Sequence, residues 1–385
     1  MSKTSSKHPE KIEDFHWYIA HPDRIQLSIS FYKFIIFYPI DWMSIHLIWE
    51  FSMCEDLFDL EEKRLEEEIK KRGARVVLLQ LPDGLKPLAA RLASVIEYAG
   101  AAAIISGEPC YGACDVAVAE ARDLNADLIV HYGHTMMLKD LDIPTIYFEA
   151  HAKIPVERSV RRAIDILKPW RRIGLVTTVQ HVENLEAARR ILSSAGKEVY
   201  VGKASNMLHP GQILGCDYTN AKAISSSVDA FLFVGGGRFH PLGLALATLK
   251  PVVAADPFID KAYSLDADAR KILRRRWAEI EEAREAKIYG VIIGLKPGQR
   301  RLSEAFKVKR KMEEAGKKVY LISLREITGQ MLRNFQEFEA YINTACPRIS
   351  IDEETIFRQP ILTLKEAYVM LGEISWERLL KEGII

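Results

Sequence analysis

Cysteine is scarce in this chain: Cys54, Cys110, Cys114, Cys216 and Cys346 are five residues in 385. An odd number so thinly spread excludes the dense, even framework of a small secreted domain and points to a reducing, cytoplasmic setting. Charge of one sign is not in excess either, since 53 Lys and Arg meet 52 Asp and Glu. That balance lacks the basic footprint of a nucleic-acid binder, so no nucleic-acid partner is expected. Long apolar runs are missing too. In the aromatic, isoleucine-rich first fifty residues, Lys33, Pro39, Asp41 and Glu50 interrupt every run before the ~18 to 20 residues of a spanning helix. No membrane partner is expected, and no small-residue cleavage site marks a signal peptide. This stretch, 1–58 with its linker, reads as a packed or partner-binding extension, or as residues translated upstream of a true start at Met53. On either reading it is expected to be dispensable.

Regular periodicity begins at Asp59. A charged helix is expected over Leu60 to Arg72, a strand over Val76 to Gln80, turn chemistry at Pro82-Asp83-Gly84, a helix over Pro87 to Tyr98 closed by Ala99-Gly100, and a strand over Ala102 to Ile105. The same order of strand, helix, Ala-Gly and strand recurs at Ile173 to Val201 around Ala195-Gly196, and at Tyr289 to Ile322 around Ala315-Gly316. Each copy continues with a helical stretch and a third strand, at Asp127 to Val130, Ala230 to Val234 and Ala340 to Asn343, and a fourth strand is expected after Pro144, after Pro251 and near Pro360. The expected fold is α/β, with three related Rossmann-like parallel-sheet units, 59–155, 156–270 and 271–385, around a pseudo-threefold arrangement. In such sheets ligands sit beyond the carboxyl ends of the strands.

Three of the cysteines fall in loops of that kind. Cys114 follows the second strand of the first copy, Cys216 the second strand of the second, and Cys346 the third strand of the third. If the copies converge, one thiol arrives from each, and a 4Fe-4S cluster held this way keeps one iron free of protein for a substrate. The bland alternative is that each is a small buried hydrophobe. Against it, the cysteines stand in Gly-Ala-Cys-Asp, Gly-Cys-Asp-Tyr and Ala-Cys-Pro-Arg, polar or turn-forming surroundings. Zinc competes for thiolates, but structural zinc sites take closely paired ligands, whereas three soft thiolates favour iron and sulfur. Cys110 and Cys114 begin the compact motif of ordinary radical enzymes that use S-adenosylmethionine, yet its third cysteine is absent. Cys110 then reads as a bystander able to replace Cys114, and Cys54 has no cluster role.

Other strand-end motifs are less specific. Gly235, Gly236 and Gly237 with Arg238 follow a strand and could approach an anionic group, such as a cofactor carboxylate, although His240 stands where the last glycine of a dinucleotide fingerprint belongs. His134, in His131-Tyr132-Gly133-His134, and His240 are candidate proton carriers or simply satisfied loop histidines. Gln80 to Lys86 could line the same pocket. The basic residues between Arg300 and Lys311 read as a solvated helix face or a docking face for a macromolecule.

Together these motifs resemble the diphthamide synthase family, in particular the archaeal 2-(3-amino-3-carboxypropyl)histidine synthases. Tyr111-Gly112-Ala113-Cys114-Asp115, Leu214-Gly215-Cys216-Asp217 and Ala345-Cys346-Pro347-Arg348-Ile349 look like its three cluster motifs, and Gln80 to Leu85, His131 to His134 and Gly235 to Gly243 are similar to further family segments. The likeness runs from about Asp59 to the end. It implies a homodimer, each subunit carrying a 4Fe-4S cluster on Cys114, Cys216 and Cys346, that takes electrons from a donor. S-adenosylmethionine would be cleaved to methylthioadenosine and a 3-amino-3-carboxypropyl radical, which would be transferred to C2 of a histidine of translation elongation factor 2. This is the first step of diphthamide biosynthesis. Two rival readings keep the cluster: a dehydratase resembling quinolinate synthase, and a non-catalytic partner subunit.

Overall fold

The computed structural model describes residues 57–203, 209–352 and 357–385, so the expectations for the first fifty residues, Met53 and Cys54 lie outside the described residues. In chain order the strands are β1 Phe58–Asp59, β2 Val76–Gln80, β3 Ala102–Ile105, β4 Leu128–Tyr132, β5 Thr145–Phe148 and β6 His151–Ala152. They continue with β7 Arg172–Thr177, β8 Glu198–Tyr200, β9 Ala230–Val234, β10 Val252–Asp256, β11 Lys261–Ser264, β12 Ile288–Gly294, β13 Lys318–Leu324, β14 Ala340–Asn343 and β15 Ile361–Thr363. Three parallel sheets share one strand order, β3-β2-β4-β5, β8-β7-β9-β10 and β13-β12-β14-β15. In each, the first strand lies between the second and third. The chain is thus a mixed α/β protein built on several parallel sheets.

Local chemistry explains the likeness of the sheets. Gly100, Gly196 and Gly316 close the helix between first and second strands at φ +97°, +76° and +79°, a left-handed turn that costs glycine least. An acidic residue just before each third strand also ties the start of the first strand: Asp127 accepts from Arg75 and Val76 N–H, Asp229 from Arg172 N–H, and Glu339 from Lys287 N–H. Strands such as Ala230–Val234 are buried throughout and apolar at every position, as expected of parallel strands covered on both faces.

Two features were not expected from the pattern. Antiparallel β11 extends the second sheet, and β1 pairs with β6. The helix Asp266–Glu285, 20 residues long, places Ile272 and Ile280 in one apolar core shared by the second and third sheets, with Phe231 and Phe233 on one side and Tyr289 and Val291 on the other. The first sheet keeps cores of its own. Among the described residues, no helix is long and apolar enough to cross a membrane.

Candidate metal centre

Beyond the strand ends of all three sheets lies a cavity of about 930 Å³, lined by Cys114, Cys216 and Cys346. Cys114 comes from the loop after β3, Cys216 from the loop after β8, and Cys346 caps the short helix Pro347–Ile351 directly after β14. Cross-sheet contacts set the loops against one another. Gly298 N–H donates to the Cys114 carbonyl at 2.8 Å, and Gln299 Nε2 lies 3.3 Å from the Cys114 sulfur. Lys296 reaches Glu326 at 2.9 Å and Asp115 at 3.3 Å, and its ammonium stands 4.0 Å from the centre of the Tyr111 ring. Arg348, nearly fully buried, donates to the Tyr218 hydroxyl at 3.1 Å, covers the Phe239 ring at 3.7 Å and pairs with Asp352. Tyr218 in turn donates to the Gly215 carbonyl, so Arg348 links the Cys346 loop to the Cys216 loop. On the remaining side, Gln180 donates to the Gly133 carbonyl and Gln212 to the Thr135 hydroxyl, both at 2.8 Å.

Burial decides the protonation of these thiols. It pushes Cys216 up to about 12, with Cys346 and Cys114 adding to the rise, although the accessible surface of that side chain opens on the cavity. Cys114 and Cys346 are raised by burial as well, and the Gln299 amide and the Arg348 backbone N–H oppose the rise. The free protein therefore holds neutral thiols, which a bound cation would convert to thiolates. Three soft thiols facing one chamber of this size suit a multinuclear iron-sulfur group.

His134 and His240 both line the cavity, and burial lowers them to about 4 and about 3, neutral imidazoles at pH 7. Gly235, Gly236, Gly237 and Arg238 do not line it. Arg238 pairs with Asp268 and lies over the Tyr263 ring, 5.2 Å from its centre, so its charge is engaged elsewhere. Cys110 is buried outside the lining, a poor position from which to replace Cys114. Sequence reasoning missed Lys296, Gln299 and Arg325, which also line the cavity; Lys296 and Gln299 follow β12, so the strand-end rule was a signal for them.

Gly298 offers a test of how tightly the loops fit. A methyl group there would lie 2.7 Å from both Cα and Cβ of Cys114, and backbone atoms cannot swing aside. Gly298→Ala is expected to cost about 1–3 kcal/mol, the range for overpacking, and to lower iron retention, read by thermal unfolding and iron analysis.

The fold and cavity define a class, α/β proteins in which loops of three parallel sheets bring soft sulfur donors to one chamber. Comparisons narrow it. The diphthamide synthesis protein family matches residues 81–380, and the chain belongs to that family. It is 39% identical over 318 residues to the 2-(3-amino-3-carboxypropyl)histidine synthase of Pyrococcus horikoshii, covering 82% of this chain and 91% of that one. Subunit 1 of the synthase from Gallus gallus is 32% identical over 317 residues, 80% of this chain and 76% of that one. The crystal structure of Dph2 from Pyrococcus horikoshii with a 4Fe-4S cluster superposes with a TM-score of 0.76 at 38% identity, covering 83% of this chain and 92% of that one.

Proposed function

We propose that this chain is the transferase of the first step of diphthamide biosynthesis, moving the 3-amino-3-carboxypropyl group of S-adenosylmethionine to C2 of a histidine of translation elongation factor 2 and releasing methylthioadenosine. The observation that carries this reading is the meeting of Cys114, Cys216 and Cys346, from loops of three different sheets, in one cavity. In this reading the three thiolates hold a 4Fe-4S cluster, which when bound supplies the electron that breaks the carbon-sulfur bond on the aminocarboxypropyl side. The three sheets act as units 59–155, 156–270 and 271–385 in a pseudo-threefold arrangement around it.

The remaining residues bind and orient. Arg325 borders the cavity, whereas Arg238 lies outside it and is paired with Asp268, which makes Arg325 the better partner for the amino-acid carboxylate. His240, neutral and cavity-lining, is the candidate to accept the proton that leaves C2. The partners in this reading are elongation factor 2, an electron donor and a second copy of the chain, in the cytoplasm. Quinolinate synthase-like dehydration and a purely non-catalytic role are not favoured by relatives named as histidine synthases.

The test is anaerobic reconstitution with iron and sulfide, then dithionite, S-adenosylmethionine and elongation factor 2. Methylthioadenosine and a matching mass gain on one histidine of the factor are expected. Iron-replete protein that yields neither would overturn the reading.

A further inference from the structure

The first sheet gathers a second set of soft donors next to the cavity. Ligand atoms of Cys110, His131 and His134 all lie within 4.8 Å of one another. Cys110 comes from the loop after β3, while His131 belongs to β4 and His134 follows it. A cysteine beside two histidines is often only core filling, so the direction of the lone pairs decides. Gln80, itself buried, settles that direction. Its Nε2 donates to the Asp115 carbonyl at 2.7 Å, and its Oε1 accepts from Ala117 N–H at 3.0 Å, which fixes the orientation of the amide. The oxygen 2.8 Å from His131 Nδ1 can only accept, so that nitrogen carries the proton and Nε2 is the acceptor that faces the site. In the metal-free protein Nε2 accepts the Nδ1–H of His134 at 3.0 Å, so a cation would replace that one proton between two imidazoles already turned toward each other. A ligating histidine whose other N–H is held by a neighbouring oxygen is the usual arrangement around a metal.

We propose that Cys110, His131 and His134 form a site for one borderline-soft divalent cation of the zinc class, distinct from the three cavity cysteines, with a fourth position left for water. One thiolate and two imidazoles match the nitrogen and sulfur donors that zinc takes in a three-ligand site, and the lack of a carboxylate disfavours magnesium and calcium. On binding, the thiol releases its proton to solvent, and His134 gives up the Nδ1 proton and carries one on Nε2 instead, so both imidazoles ligate as neutral rings. Cys110 lies four residues before Cys114, so the ion anchors one end of the loop that carries Cys114 and limits where that thiol points.

Cobalt(II) is the probe, added without sulfide to chelator-stripped full-length protein in which Cys114, Cys216 and Cys346 are all alanine. One cobalt per chain is expected, with a thiolate-to-cobalt absorption in the near ultraviolet and visible bands of four-coordinate cobalt, all displaced by zinc. Cys110→Ser should lose the thiolate band and His134→Ala the four-coordinate bands. Gln80→Met, which removes the acceptor for His131, should weaken binding about 10- to 100-fold. Circular dichroism confirms the fold of each variant; if Cys110→Ser fails to fold, the His134 and Gln80 variants decide. No cobalt uptake by the triple-alanine protein, or a thiolate band that survives Cys110→Ser, overturns the proposal. Because the measurement involves neither iron nor S-adenosylmethionine, its failure leaves the methylthioadenosine test of the catalytic reading untouched, and the reverse also holds.

Discussion

Alanine at Cys114, Cys216 or Cys346 is expected to abolish methylthioadenosine formation and to reduce iron affinity by more than the ~10- to 100-fold that loss of an outer-shell partner costs. Each thiol comes from a different sheet, so no neighbouring donor takes over from a missing one. Folding should change little, by about 1 kcal/mol, since none of the three is an apolar core residue. Cys110→Ala should leave the reduced cluster's electron paramagnetic resonance signal in place, because Cys110 lies outside the cavity lining. Cys114→Ala and the Cys110, Cys114 double variant should therefore hold equally little iron. A full 4Fe-4S signal in the Cys216→Ala or Cys346→Ala protein would sink the three-sheet centre.

Arg276→Met should destabilise the protein by about 3–5 kcal/mol, the cost of stranding one member of a buried ion pair. Arg276 and Glu366 are both fully buried, joined by two hydrogen bonds of 2.8 and 2.6 Å. The same guanidinium donates to the Ser350 carbonyl at 2.6 Å and the Ile361 carbonyl at 2.9 Å. It thereby holds the helix that begins after Cys346 against β15. Removing it leaves the buried Glu366 carboxylate with only the Thr363 N–H to neutralise its charge, and two carbonyls without that donor, in a dry interior. A double variant, Arg276→Met with Glu366→Leu, should recover part of the loss because the stranded charge goes with its partner. Urea unfolding of the iron-free protein reads both effects. The single variant should also load less iron, since the loop carrying Cys346 loses its support.

The repeated sheets were legible because their signals are local. Val76–Gln80, Ala102–Ile105, Ala230–Val234 and Ala340–Asn343 appear at the expected residues, and the other repeat strands fall within two residues of expectation at each end. Ala-Gly stops and strand-ending turns need only a few neighbouring residues to act. Antiparallel β11 was not legible, because Lys261–Ser264 is a short mixed segment that becomes a strand only by pairing with β10. Arg276 gave no warning either: on a charged helix it resembles its exposed neighbours, and its burial depends on Glu366, ninety positions away.

By itself, the sequence determined the order of strands and helices within the three repeats, the placing of Cys114, Cys216 and Cys346 after strands, and the family motifs around them. These follow from apolar periodicity and from short contiguous runs, which act over a turn or a strand. Only the tertiary structure decided that Cys114 opens on the cavity while Cys110, four residues earlier, turns to His131 and His134. It also decided that the Gly235 to Arg238 loop stops short of the cavity whereas Phe239 and His240 reach it. Those outcomes depend on how distant loops pack, through contacts such as Gly298 on Cys114 and Arg348 on Tyr218. Partners separated by more than a hundred residues leave no periodic trace in the chain, because nothing local forces them to meet.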